Sequence, residues 1–250
     1  MNPNSALIWL PKIVAAGLPT PRTEIVEYGH HSIASIFDGA KSVVFENLVA
    51  GVVGACERIG YPVFVRTDLA SAKHSGPGAY RISNETEVAS RMYATLEDNE
   101  MKFWLEAEGP KAILVREWIA FDSPFSAFAD HPINREWRFF ADGNHVFCFH
   151  PYWPEDAITF YADAMVAPID WRERLRELHK VPDCIDELKE LSIRAAALYG
   201  ATASVDIAQD KHGKWWVIDM ALAEGSVHWQ GCENEKMQIH RFYLPPERSE

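Results

Sequence analysis

Residues 204–221 read as two β-runs around a polar turn at 210–213. A connection that short joins antiparallel strands, because parallel neighbours need a crossover of a dozen residues or more. A second hairpin signal, Asp142 to Asn144, separates the runs 137–141 and 145–150. Helical spacing occurs between and before these hairpins. Val44, Leu48, Val52, Cys56 and Ile59 lie along one face of 42–59, with Gly60 suited to a left-handed C-cap. A strand is expected at 62–67 and a loop of small residues at 68–78. A helix starts near Asn84, with Glu87 as its capping-box partner and Val88, Met92 and Leu96 as its apolar face. Another helix spans 184–199 through Ile185, Leu188, Leu191, Ala195 and Leu198, closed by Gly200. This order of helices and hairpins favours an α+β fold over a doubly wound parallel sheet.

At 250 residues the chain is long enough for one large domain or two tightly joined lobes. No apolar run approaches 18 residues, so no membrane span is expected. The first residues lack a basic start and a small-residue cleavage site, which argues against a signal peptide. The four cysteines are far apart, with no Cys-x-x-Cys pair. That disfavours a zinc knuckle or disulfide frame and fits a reducing cytoplasm, the host's if the chain is viral. A net charge of −12 disfavours nonspecific nucleic-acid binding but allows a local basic pocket.

The hairpin at 204–221 carries Asp206 and Asp219, which can point off the same face. Two carboxylates there repel unless a cation lies between them, and Mg²⁺ commonly shares one or two carboxylates with substrate phosphates. The alternative is a pair of solvated or turn-capping residues. Arg66 at the end of its strand and Lys73 in the following loop suit a phosphate chain, Lys73 as a point charge and Arg66 as a two-pronged donor. A solvated surface loop is the other reading. Arg116 and Glu117 interrupt an apolar run at 112–119 and point to opposite faces. They mark either a nucleotide cleft or an edge strand with one wet face. Glu136 and Arg138 share a strand face, where the carboxylate can hold the guanidinium towards a phosphate or form a surface ion pair worth under about 1 kcal/mol. The aromatic clusters 149–153 and 228–229 suit a substrate pocket or a core. No Walker-type or dinucleotide glycine loop is present.

Taken in order, the segments 16–23, 65–74, 115–119, 135–140, 205–207 and 217–220 resemble the ATP-grasp superfamily. The likeness is to a short clade of phage and bacterial proteins with an Arg/Lys loop. It extends to the eukaryotic cell-division-cycle ATP-grasp assembly factor and its relatives. The resemblance implies two αβ lobes with antiparallel sheets clamping a nucleotide. The smaller lobe, with the phosphate-covering loop, would take residues 1–115. The larger, with the hinge, the arginine strand and the metal hairpin, would take 116–250. It implies ATP and Mg²⁺ as cofactors. Arg66 and Lys73 would contact phosphates. Arg116, Glu117, Trp118 and Ile119 would form the hinge beside adenine, and Arg138 would face the terminal phosphate. Asp206 and Asp219 would hold the metal. Where the family often has Asn, this chain has Ala221, so Glu224 is the expected third metal ligand. Lys73 and Arg138 would be the catalytic cations.

The activity implied is an ATP-dependent carboxylate–amine ligase working through an acyl phosphate, with a small-molecule or peptide acid and amine as substrates. The alternatives are an ATP-binding assembly factor with a protein partner, or a kinase on the same scaffold.

Overall fold

A computed structural model describes residues 2–28, 36–37, 42–71, 80–103, 109–128, 130–161 and 167–229. Two four-stranded antiparallel sheets carry the fold, as the α+β expectation requires. In the first, the spatial order is β1 (Thr23–Glu27), β4 (Ala112–Glu117), β2 (Val63–Thr67), β3 (Arg81–Ile82). Helices α2 (Val43–Ile59) and α3 (Val88–Phe103) cover one face of it.

Local chemistry sets these boundaries. Ser42 Oγ accepts from Phe45 N at 3.2 Å and starts α2. Gly60 ends it with φ 94° and ψ 130°, a glycine-only conformation but not the left-handed helical one expected. Asn84 Oδ1 accepts from Thr86 N at 3.1 Å, which opens a 3₁₀ turn ahead of α3. Glu87 returns to Ser83 N at 2.8 Å, one residue earlier than a regular capping box.

Strand periodicity divides β2 and β4 into two faces. Val63, Val65, Ile113 and Val115 enter the core with α2 and α3. Phe64, Arg66 and Arg116 therefore face the other way, with Phe64 directly opposite Arg116. β4 pairs with β1 on one side and β2 on the other, which excludes the edge-strand alternative for 112–119.

The second sheet has the order β10 (Trp215–Leu222), β9 (Ala203–Gln209), β7 (Glu136–Ala141), β8 (Val146–Pro151). Its core face packs on α1 (Ala6–Ala15) and α6 (Ile185–Tyr199) through Trp9, Leu10, Ile13, Trp137, Phe139, Val205, Ile207, Val217 and Met220. Gly200 closes α6 in the left-handed conformation, as expected. α1 belongs to this second core although it precedes the first sheet in the chain. Asp68 ties the two regions together. Its carboxylate accepts from Ser5 Oγ at 2.5 Å and from the backbone amides of Lys111 and Ala112 at 2.7 and 3.0 Å.

A smaller core joins the hairpin β5 (Phe125–Ala127) and β6 (His131–Ile133) to α4 (Glu155–Tyr161) and α5 (Trp171–Leu178). No helix among the described residues is long and apolar enough to cross a membrane.

One irregularity in β10 decides where charge appears. Val217 pairs with Ile207 and faces the core, but the next pairing is Asp219 with Asp206. Two residues of β10 thus oppose one of β9, a β-bulge at Ile218. In a regular strand Asp219, two residues on from Val217, would share its face and point into hydrocarbon, and the bulge shifts it by one. With it, both carboxylates lie on the face opposite the core.

Candidate functional site

A cleft of about 280 Å³ opens where the helix-free faces of the two sheets approach. One end is aromatic, lined by Phe64, Tyr80, Trp118, Phe121 and His131, with Ile119, Ser123 and Asn134 beside them. Tyr80 packs against Phe64 with centroids 5.2 Å apart and lies parallel to Trp118 at 6.4 Å. Its hydroxyl is 2.7 Å from His131 Nδ1, and burial pushes its phenol pKa up. Arg81 covers the other ring at this end, 4.8 Å from the Trp118 centroid. A flat heteroaromatic base suits such walls.

The connection after β4 forms the floor. Glu117 Oε1 accepts from Arg22 N at 2.7 Å. Lys211 N donates to Ala120 O at 2.9 Å, and Asp122 N to Gln209 O at 2.9 Å. The segment bearing Trp118 and Ile119 is therefore pinned to the β9–β10 turn.

Charge gathers at the opposite end. Arg66, 4% exposed, places Nη1 2.8 Å from Asp219 Oδ2 and Nε 3.1 Å from Thr67 O. Arg116 crosses between the sheets, donating from Nη1 to Ile218 O at 2.6 Å and from Nε and Nη2 to the Thr23 and Thr20 hydroxyls at 3.3 Å. Burial first, then the neighbouring Arg66, lowers its pKa to about 10, so it stays charged at neutral pH.

Arg138 lies directly opposite Asp206 in the β7–β9 register. Nε and Nη2 reach the two Asp206 oxygens at 2.7 and 2.8 Å. Burial alone would lower the Arg138 pKa, but the Asp206 carboxylate outweighs it and holds the group above its ordinary value. The guanidinium also lies 4.7 Å over the Tyr152 ring.

Six expected residues line the cleft together: Arg66, Arg116, Glu117, Trp118, Ile119 and Asp219. Asp206 and Arg138 sit on the adjoining sheet face rather than in the lining. The carboxylate on Arg138 is Asp206, not Glu136. Both Glu136 and Arg138 face the same way, but the antiparallel register sets Asp206, not Glu136, across from the guanidinium. Lys73 and its loop lie outside the described residues. Phe64, Tyr80, Phe121 and His131 were not anticipated. Alternation with Arg66 carries a signal for Phe64; the others reach the cleft through tertiary folding alone.

The carboxylate pair has the oxygen chemistry of a Mg²⁺ site, but its arrangement does not fit one. Arg138 engages both Asp206 oxygens. Asp219 is engaged by Arg66 and by the Met220 amide at 3.0 Å. Ala221 has no donor side chain, and Glu224 is exposed on the 3₁₀ turn Ala223–Gly225. Among the described residues no group of three His, Cys, Asp or Glu side chains gathers as a metal site.

The aromatic clusters 149–153 and 228–229 do meet. His150 stacks on Trp229 with centroids 5.2 Å apart, and His228 Nε2 is 2.8 Å from Cys148 Sγ. His150 is 3% exposed, and burial drives its pKa down to about 3. Trp153 is core, packed with Phe128 and Ile158.

No protein-family model and no curated protein matches the chain in sequence. Among solved structures, the C-terminally truncated Cdc123 of Schizosaccharomyces pombe superposes with a TM-score of 0.57 at 12% identity, over 88% of this chain and 83% of that one. Cdc123 from the same organism gives a TM-score of 0.53 at 12% identity, over 87% and 82%. A RimK domain ATP-grasp protein from Sphaerobacter thermophilus gives 0.46 at 16% identity, and this chain spans 88% of itself and only 59% of that protein.

Proposed function

We propose that this chain, whose fold superposes on Cdc123 and whose sequence resembles the ATP-grasp superfamily, binds an adenine nucleotide between its sheets and uses it as a carboxylate–amine ligase. One observation carries the reading. Residues from five separate segments, Phe64 with Arg66, Tyr80, Arg116 to Phe121, His131 and Asp219, converge on one cleft that is aromatic at one end and cationic at the other. Adenine packs between Tyr80, Trp118 and Phe121, with the backbone of 118–119 reading its edge. The phosphates run towards Arg66 and Arg138, and Lys73 is the further cation that the sequence resemblance assigns to them.

In this reading a carboxylate oxygen of the first substrate attacks the γ-phosphorus. The bond to the β–γ bridging oxygen breaks, and ADP leaves. An amine then attacks the acyl carbon, phosphate departs, and the amine proton passes to solvent. The chain supplies position and charge complementarity, which is most of what phosphoryl transfer requires. No protein nucleophile is needed. The acid and amine are small molecules or peptides.

The test is hydroxylamine trapping. With ATP and a panel of carboxylates, an acyl phosphate gives a hydroxamate together with stoichiometric ADP. Lys73→Ala and Asp219→Asn, the second of which unpairs Arg66, should each abolish that product while the fold survives. Turnover at the wild-type rate in both variants rejects the assignment. Ala221 favours a second reading, an ATP-binding assembly or interaction factor. It predicts tight nucleotide binding, no hydroxamate with any acid, and a copurifying protein.

A further inference from the structure

Asp206 is buried, at 3% exposure, and its two oxygens accept from Arg138 Nε and Nη2 at 2.7 and 2.8 Å. This is a side-on pair. A guanidinium has five N–H groups in a fixed planar fork. The pair uses one on Nε and one on Nη2, and Nη1 donates to Val227 O at 3.2 Å. Two N–H groups, on Nη1 and Nη2, have no partner among the described residues. The Tyr152 ring fixes the plane of the group from one side. Glu136, two residues along β7, and His150, opposite Arg138 on β8, complete its surroundings. His150 is held neutral by burial, so it does not compete for the carboxylate.

We infer that Asp206 is a positioning residue for Arg138 rather than a metal ligand, and that Arg138, held side-on, presents the remaining Nη1/Nη2 donors to a phosphoryl oxyanion. A metal at Asp206 would compete with two charge-assisted bonds for the same two oxygens and draw charge away from a buried guanidinium. Asp219, opposite Asp206, is itself engaged by Arg66, and Ala221, two residues on, brings no donor side chain. The proposal rests on the anion-binding half of the nucleotide reading and assigns Asp206 a role opposite to the one its spacing implies.

Calorimetry separates the two roles. Inorganic tripolyphosphate and ADP are titrated into the full chain in EDTA and again in millimolar Mg²⁺. Asp206→Asn is expected to weaken tripolyphosphate binding by the same factor in both buffers, roughly tenfold or more. Arg138→Gln should do likewise, and the double variant should be no weaker than Arg138→Gln alone. Wild-type affinity of Asp206→Asn in EDTA, with loss only of a Mg²⁺-dependent gain, overturns the inference.

A measurement on the wild-type chain covers a failure of the variants to fold. The Arg138 Nε–H resonance, assigned by its absence in Arg138→Lys, should stay in place as Mg²⁺ is added. Displacement of that signal by Mg²⁺ overturns the inference as well. If tripolyphosphate shows the coupling but ADP binds no more tightly than it, the adenine reading fails and the Asp206 role stands. If the wild-type chain binds neither in either buffer, both fall.

Discussion

Arg116 reaches from β4 to the Ile218 carbonyl at 2.6 Å, and the hydroxyls of Thr20, ahead of β1, and Thr23, its first residue, take its other donors. Arg116→Met keeps the stem but strands a buried carbonyl, and should cost about 1–3 kcal/mol in urea unfolding. His150 gives a pH signature. Its folded pKa of about 3 lies below the ordinary 6.5, so the unfolded chain binds the proton first as pH falls. The stability contributed by the neutral ring is complete above pH 6.5 and is lost on acidification towards 3, at about 1.4 kcal/mol per pH unit. His150→Phe should flatten that part of the stability–pH curve relative to wild type, as read by denaturant midpoints. An identical slope in the two proteins would mean that the ring is not buried neutral.

At the level of helices and strands, α1 is the most exposed to a packing test. Trp9 is 1% exposed in the second core, and Trp9→Ala should cost about 3–5 kcal/mol with no direct effect on the cleft. The sequence carried clear signals for elements whose own residues decide them. The hairpin at 137–150 is written in Asp142, Gly143 and Asn144, and α6 in its apolar spacing and Gly200. α1 was illegible because Pro11 sits inside it and only burial of Trp9, Leu10 and Ile13 against α6 and β10 makes a helix there worthwhile. The site divides in the same way. Arg66, Arg116 and Asp219 stood out as charges inside apolar runs. The expectation that Glu136 holds Arg138 gives way to Asp206, because sequence shows which residues share a strand but not which lie across from it. Tyr80 and His131 carried no local signal, since only the fold brings them to Trp118.

Across the whole molecule, two cores share a cleft whose walls belong to both, so a ligand there should stabilise the chain as a unit. ADP at a hundred times its dissociation constant should add about 2.7 kcal/mol. For a chain this long that raises Tm by roughly 5–10 °C by differential scanning calorimetry. A rise confined to a separate low-temperature transition would place the nucleotide on one core only. The excess of negative charge, −12 overall, makes the arginine-rich end of the cleft a local inversion of the surface field. High salt should therefore weaken ADP more than adenosine.

That inversion depends on a single step in the register of one strand. Deleting Ile218 would restore regular pairing with Asp219 still across from Asp206, but it would remove the carbonyl that receives Arg116. The shortened chain would keep every charged residue it has now, yet lose the acceptor through which Arg116 ties one sheet to the other. Spacing alone, with composition held fixed but for one isoleucine, would then separate a working pocket from an inert scaffold.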